Sequence, residues 1–147
     1  MAEFVVQGLD KLMGSLQAFE AIPDHVKDDM LNAQADALIP ELQKRGLAYG
    51  VQDSGKLLKS IKKGKVRHNK KGRYIVVAPR GSRSRKGEDG KIHKITNAEI
   101  GFLQNYGTRH QKARPFWTDT VEISAQTVYK AGEEVFDRYL KNELDLL

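Results

Sequence analysis

Arg73-Tyr74-Ile75-Val76-Val77-Ala78-Pro79, preceded by Lys63-Gly64-Lys65-Val66-Arg67-His68 and the connector Asn69-Lys70-Lys71-Gly72, decides the fold class of this 147-residue chain. Arg73 to Ala78 is rich in β-branched and aromatic side chains, which suit a pleated, half-buried surface. Lys63 to His68 alternates poorly, but the connector has turn chemistry, and the two runs together predict a β-hairpin over 63–79. Pro79 cannot donate to a ladder and closes the second strand.

On the N-terminal side of this hairpin the period is helical. Asp53-Ser54-Gly55-Lys56-Leu57-Leu58-Lys59-Ser60-Ile61 predicts a capped helical turn. Asp53 or Ser54 would accept the orphan amides, with Leu57, Leu58 and Ile61 facing the core. Val26, Met30, Ala33, Ala37, Leu38 and Leu42 give one apolar face over 23–45. That helix is expected to stop at Gly46 and to be kinked by Pro40 near Asp36 or Ala37, where the bonded carbonyl is lost. Leu9, Leu12, Met13, Leu16 and Phe19 predict a shorter amphipathic helix over 8–20.

On the C-terminal side, 80–97 is dominated by Arg, Lys, Gly and Ser, with Ile92 and Ile95 its only aliphatic residues. A connection of this length is expected to be a flexible basic loop. Ala98 to Tyr106 regains apolar character but fits a short helix or a strand equally well. Val121, Ser124, Val128, Ala131, Val135 and Tyr139 share a helical face, which predicts a C-terminal helix over 117–140. Gly132 is expected to cost that helix about 1 kcal/mol relative to alanine. Helices, then strands, then a helix give the α+β class: helices packed on a small antiparallel sheet in a single domain.

Charge is segregated along the chain. Residues 62–94 hold 13 of the 25 basic residues and only Glu88 and Asp89 as acids, whereas the remainder carries 12 basic against 17 acidic. A cationic element on an acidic frame points to an anionic partner, nucleic acid first and acidic protein or lipid second; a solvated loop is the plainer alternative. Arg80, Arg83, Arg85, Lys86, Lys91 and Lys94 are the candidate contacts. With little aromatic content in the segment, a DNA interaction would be sequence-blind and salt-dependent.

The sequence argues against several classes of function. There is no cysteine, hence no disulfide, thiolate metal site or thiol nucleophile. His25, His68, His93 and His110 lack metal-ligand spacing. No nucleophile elbow, phosphate loop or dinucleotide fingerprint is present. The acidic pairs Asp28-Asp29, Glu88-Asp89 and Glu133-Glu134 are adjacent in sequence and diverge on a helix, so no acid–base couple emerges. No catalytic residue, cofactor or metal is therefore expected. No apolar run is long enough to span a bilayer, and Met1 to Gln7 lacks the pattern of a signal peptide.

Two blocks and an opening motif resemble a tailed-phage family. Asp53-Ser54-Gly55-Lys56-Leu57-Leu58-Lys59-Ser60-Ile61 resembles its D-T/S-G-x-L-x-x-S-I block. Asn105-Tyr106-Gly107-Thr108, followed by Ala113-Arg114-Pro115-Phe116-Trp117, resembles its E-F/Y-G-T and A-R-P-F-L/W pair, with Asn105 in place of the commoner acid. Gly8-Leu9-Asp10-Lys11-Leu12 resembles its G-L-D-x-L start. The family is the tail-component (neck or tail-completion) group of lambdoid and related siphophages. The resemblance implies a non-enzymatic subunit of the head–tail connection, in the virion and in the host cytoplasm during assembly. It implies self-association, often as a ring around the DNA channel, and contacts with head-closure and tail-tube or terminator proteins. Packaged double-stranded DNA is a further implied partner, and no membrane is involved. It casts Asp53, Ser54, Gly55, Leu57, Ser60, Ile61, Gly107, Thr108, Arg114, Pro115, Phe116 and Trp117 as structural positions. Trp117 is expected in the core more than at a partner surface.

Overall fold

A computed structural model describes residues 22–51 and 55–144; the 8–20 helix, Asp53 and Ser54 lie outside them. The architecture is α+β. Helix α1 (Asp24–Ala48) is followed by one turn of helix, α2 (Lys56–Lys59). Six short strands come next: β1 (Ile61–Lys63), β2 (Arg67–Asn69), β3 (Gly72–Tyr74), β4 (Val77–Pro79), β5 (Ser82–Lys86) and β6 (Ile92–Thr96). Helices α3 (Asn97–Tyr106), α4 (Phe116–Ile123) and α5 (Ala125–Leu144) complete the described chain.

Helix α1 continues through Pro40 and past Gly46, where the sequence predicts a stop. Its terminator is Gly50, at φ +75°. The Gly50 amide donates to the Leu47 carbonyl and the Val51 amide to that of Gly46, at 3.1 and 2.9 Å. This double closure satisfies orphan carbonyls and requires a left-handed residue, which glycine supplies without a Cβ penalty. Gly46 is a packing residue instead: a Cβ there would collide with the Leu58 side chain. Val51, the residue after the closure, is fully buried.

The predicted hairpin exists as two antiparallel ladders with one offset. Ile61–Lys63 pairs with Val77–Pro79, and Arg67–Asn69 pairs with Gly72–Tyr74 around the turn residues Lys70 and Lys71. Between them the first strand carries one residue more than the second, so the register shifts by one, as at a bulge. Pro79 ends β4, opposite Ile61.

The stretch 80–97, expected as a flexible loop, is instead a second antiparallel hairpin with the register Ser82↔Thr96 to Lys86↔Ile92. Its turn is a compact loop. The Gly90 amide donates to the Gly87 carbonyl (3.0 Å), Gly90 takes φ +74°, and the Gly87 amide closes the loop onto Lys91 (2.8 Å). Asp89-Gly90 suits such a three-residue hairpin loop, with glycine at the left-handed position. Asn97 anchors the base, its side-chain amide donating to the Arg80 carbonyl and its backbone amide to that of Gly81.

The predicted C-terminal helix is two helices, broken at the buried Ser124. One turn earlier the buried Thr120 hydroxyl donates to the Phe116 carbonyl at 2.5 Å, a back-bond that bends helices. The buried Gly132 marks close approach between α5 and α1, since a Cβ there would meet Gln34 Nε2 at 2.6 Å. Its local helix cost is thus offset by packing.

The core gathers Leu42, Val51, Leu57, Leu58, Ile61 and Phe116, with Leu38, Ile39, Val77, Ile100 and Trp117 packed around them. Burying each large aliphatic or aromatic side chain stabilises the fold by about 1.5–3 kcal/mol. The first hairpin is fastened to α1 by charge. Arg73 forks onto Asp28 at 2.5 and 2.8 Å, and Lys63 reaches Asp36 at 2.9 Å. Part of the cationic segment thus binds the chain's own acidic frame.

These contacts set an acid dependence. The Arg73 guanidinium holds Asp28 below its ordinary carboxylate range, His93 does the same for Asp89, and the Thr96 backbone and hydroxyl do so for Glu99. A carboxylate lowered on folding contributes stability above its unfolded pKa and loses it as pH falls through the folded value. The urea midpoint is therefore expected to be level above about pH 5 and to fall below about pH 4. Asp28→Asn is expected to flatten that fall.

Candidate functional site

The six candidate cations do not form one cluster. Strand alternation places Arg83 and Arg85, with His93 and Ile95, on one face of the β5–β6 hairpin. Lys86 and Lys94 lie on the other face with Ser84 and Ile92. Lys91 belongs to the turn, and Arg80 precedes the hairpin with its guanidinium beside Gly64. Most of the hairpin is exposed, Ile92 to 76%. The side chains of Arg85, Lys86, Lys91 and Lys94 make no hydrogen bond or ion pair with any described residue. Arg83 Nε donates to Asn97 Oδ1 at 3.0 Å. At the tip Asp89 accepts from His93 at 3.0 Å.

The face bearing Arg83 and Arg85 looks onto α3 across a groove of about 640 Å³. Ile95, Ile100 and Leu103 supply its apolar lining, and Arg114 stands on its far side. Among the described residues, no acidic side chain lines it. Arg114 is held from behind: its Nη1 donates to the Gly50 carbonyl at 3.2 Å and to Gln104 Oε1 at 3.3 Å. A motif arginine expected only as a structural position thus also lines the groove.

The other motif residues have structural roles. Leu57, Ile61 and Phe116 are core, and the Ser60 hydroxyl donates to the Leu57 carbonyl at 2.6 Å. Gly55 takes φ +70° at the start of α2. Thr108 pairs with Gln111 across the turn, closing it at 2.8 and 3.3 Å. Pro115 stands immediately before α4, and the Phe116 amide donates to the Arg114 carbonyl at 2.7 Å. Trp117 is half-buried and meets Phe116 edge to face, ring centroids 6.1 Å apart.

Asn105 joins the two halves of the second block. Buried near the end of α3, it accepts the Trp117 and Thr118 amides on Oδ1 at 3.0 and 3.2 Å and donates to Thr118 Oγ1 at 2.9 Å. Those amides are orphan donors at the start of α4, which has no cap from its own preceding residue. A carboxylate would accept the same pair of amides, so this cap does not require an amide side chain at position 105. Asn105→Ala is expected to cost about 1–3 kcal/mol in urea unfolding, because two buried donors lose their acceptor. Asn105→Asp is expected to cost less.

The sequence reading missed the exposed ring pair Phe102–Tyr106, 4.7 Å apart on α3. Its signal, two aromatics at i and i+4, becomes readable only once 97–106 is known to be helical. Among the described residues, no three His, Asp or Glu side chains gather as a metal site, and no helix is long and apolar enough to cross a membrane. Compared with protein-family models, curated proteins and solved structures, the chain matches none.

Proposed function

We propose that this protein is a structural subunit of the head–tail connection of a tailed phage, a neck or tail-completion component. It assembles by protein–protein contacts into a ring around the DNA channel and has no catalytic role. Head-closure and tail-tube or terminator proteins are its neighbours, in the virion and in the host cytoplasm during assembly. The observation that carries this reading is the projecting hairpin Ser82–Thr96. Its cations Arg85, Lys86, Lys91 and Lys94 find no partner among the described residues, and a cation-and-apolar groove lies at its base. The motif residues support it by forming the scaffold that holds this arm, through the core and the Asn105 bridge.

A second reading is sequence-independent binding of duplex DNA through the same arm, since a two-stranded β-ribbon fits a major groove. The apolar lining favours protein, because phosphate contacts gain nothing from Ile95, Ile100 and Leu103. Light scattering across protein concentration, paired with duplex mobility shifts, separates the two. The assembly reading expects a mass that climbs with protein concentration and weak duplex binding. A constant monomer mass, with duplex affinity falling steeply against log salt, would overturn it in favour of DNA.

A further inference from the structure

We propose that the groove between the β5–β6 hairpin and α3 receives the acidic, leucine-rich segment Glu143-Leu144-Asp145-Leu146-Leu147 of a second copy of this chain. This rests on the assembly reading and names the two surfaces that would meet. Among the described residues that line it, the groove offers Arg85 and Arg114 with no carboxylate, and Ile95, Ile100 and Leu103 between them. An occupant must therefore bring negative charge and aliphatic side chains together.

Glu143 to Leu147 has that composition: two carboxylates alternating with leucines and no base. In an extended segment, alternation turns Glu143 and Asp145 to one side and Leu144 and Leu146 to the other. Arginines can take the first side and the aliphatic lining the second. The guanidinium is the cation suited to paired recognition of carboxylates, and Arg114 is already fixed by Gly50 and Gln104. Helix α5 is described as far as Leu144, so binding requires Glu143 and Leu144 to leave its last described turn. Such a contact joins different surfaces of two copies, the head-to-tail type that closes into rings.

The test uses a fluorescein-labelled peptide of residues 139–147 with an amidated end, so that Glu143 and Asp145 are its only acids. It is titrated with the full-length protein and read by anisotropy. Saturable binding is expected, weakened about tenfold by Arg85→Glu in the protein and similarly by Asp145→Lys in the peptide. Deletion of residues 145–147 from the full chain is expected to raise the concentration at which oligomers form. Absent binding, equal binding to the Arg85→Glu protein, or displacement of the peptide by duplex DNA would overturn the proposal. Unchanged self-association of the deleted chain would overturn this interface and leave the assembly reading standing. A wild-type chain that never associates would instead defeat that reading, while peptide binding still reports on the groove.

Discussion

Replacing Gly107 by alanine is expected to lower the free energy of unfolding by about 2–4 kcal/mol, the sum of backbone strain and forced overlap. Gly107 follows α3 at φ +79°, ψ 175°, a region open almost only to glycine. Space is closed as well: a Cβ would stand 2.7 Å from the Ala113 nitrogen, 2.8 Å from the Gln111 carbonyl oxygen and 3.0 Å from Ala113 Cα. These are backbone atoms of Gln111 and Ala113, which cannot swing away as a side chain does. Gly90 is the control. It has φ +74° with nothing within 4 Å of a built Cβ, so Gly90→Ala should cost only the conformational part, about 1–2 kcal/mol. Equal losses in urea denaturation would contradict the steric half of this account.

Phe116→Ala is expected to cost about 3–5 kcal/mol, a large share of the roughly 5–15 kcal/mol that keeps an ordinary domain folded. Phe116 is fully buried among Leu42, Val51, Leu57, Leu58 and Ile61. It also sits at the first residue of α4, so its loss loosens both the core and the helix that Asn105 caps. Trp117 is the single tryptophan and touches the Phe116 ring, which makes its emission a direct reporter. A red shift before denaturant is added, with a lowered urea midpoint, is the expected pair of observations. Phe116→Leu, which retains most of the volume, is expected to lose far less.

Where apolar periodicity was long, the fold was legible from sequence. Val26 to Leu42 marks α1, and the turn residues Asn69 to Gly72 mark the first hairpin. Helix ends were harder, because Gly46 and Gly50 carry the same local signal, and only packing against Leu58 shows which one ends the helix. The break at Ser124 has no glycine or proline to announce it; its correlate is a hydroxyl back-bond that sequence does not reveal.

Charged composition hid the second hairpin. Ser82-Arg83-Ser84-Arg85-Lys86 and Ile92-His93-Lys94-Ile95-Thr96 lack a buried face, so hydrophobic alternation is missing. The available signal was Asp89-Gly90 midway between runs of equal length. The division of the candidate cations between a groove face and an outer face followed only from the register. The groove itself depends on Arg114 approaching Arg83 and Arg85 from a distant part of the chain, and no local pattern encodes that approach.

The central claim is that the hairpin Ser82–Thr96 is an assembly surface. Sedimentation velocity over a range of protein concentrations, on the wild-type chain and on the double variant Arg85→Glu/Lys94→Glu, tests it most directly. Both positions are exposed and make no bond to the described residues, so the variant should keep the wild-type circular dichroism and urea midpoint. The account predicts that the wild-type sedimentation coefficient rises with concentration while the variant stays monomeric. A wild-type chain that remains monomeric throughout, or a variant that associates as readily as the wild type, would contradict it.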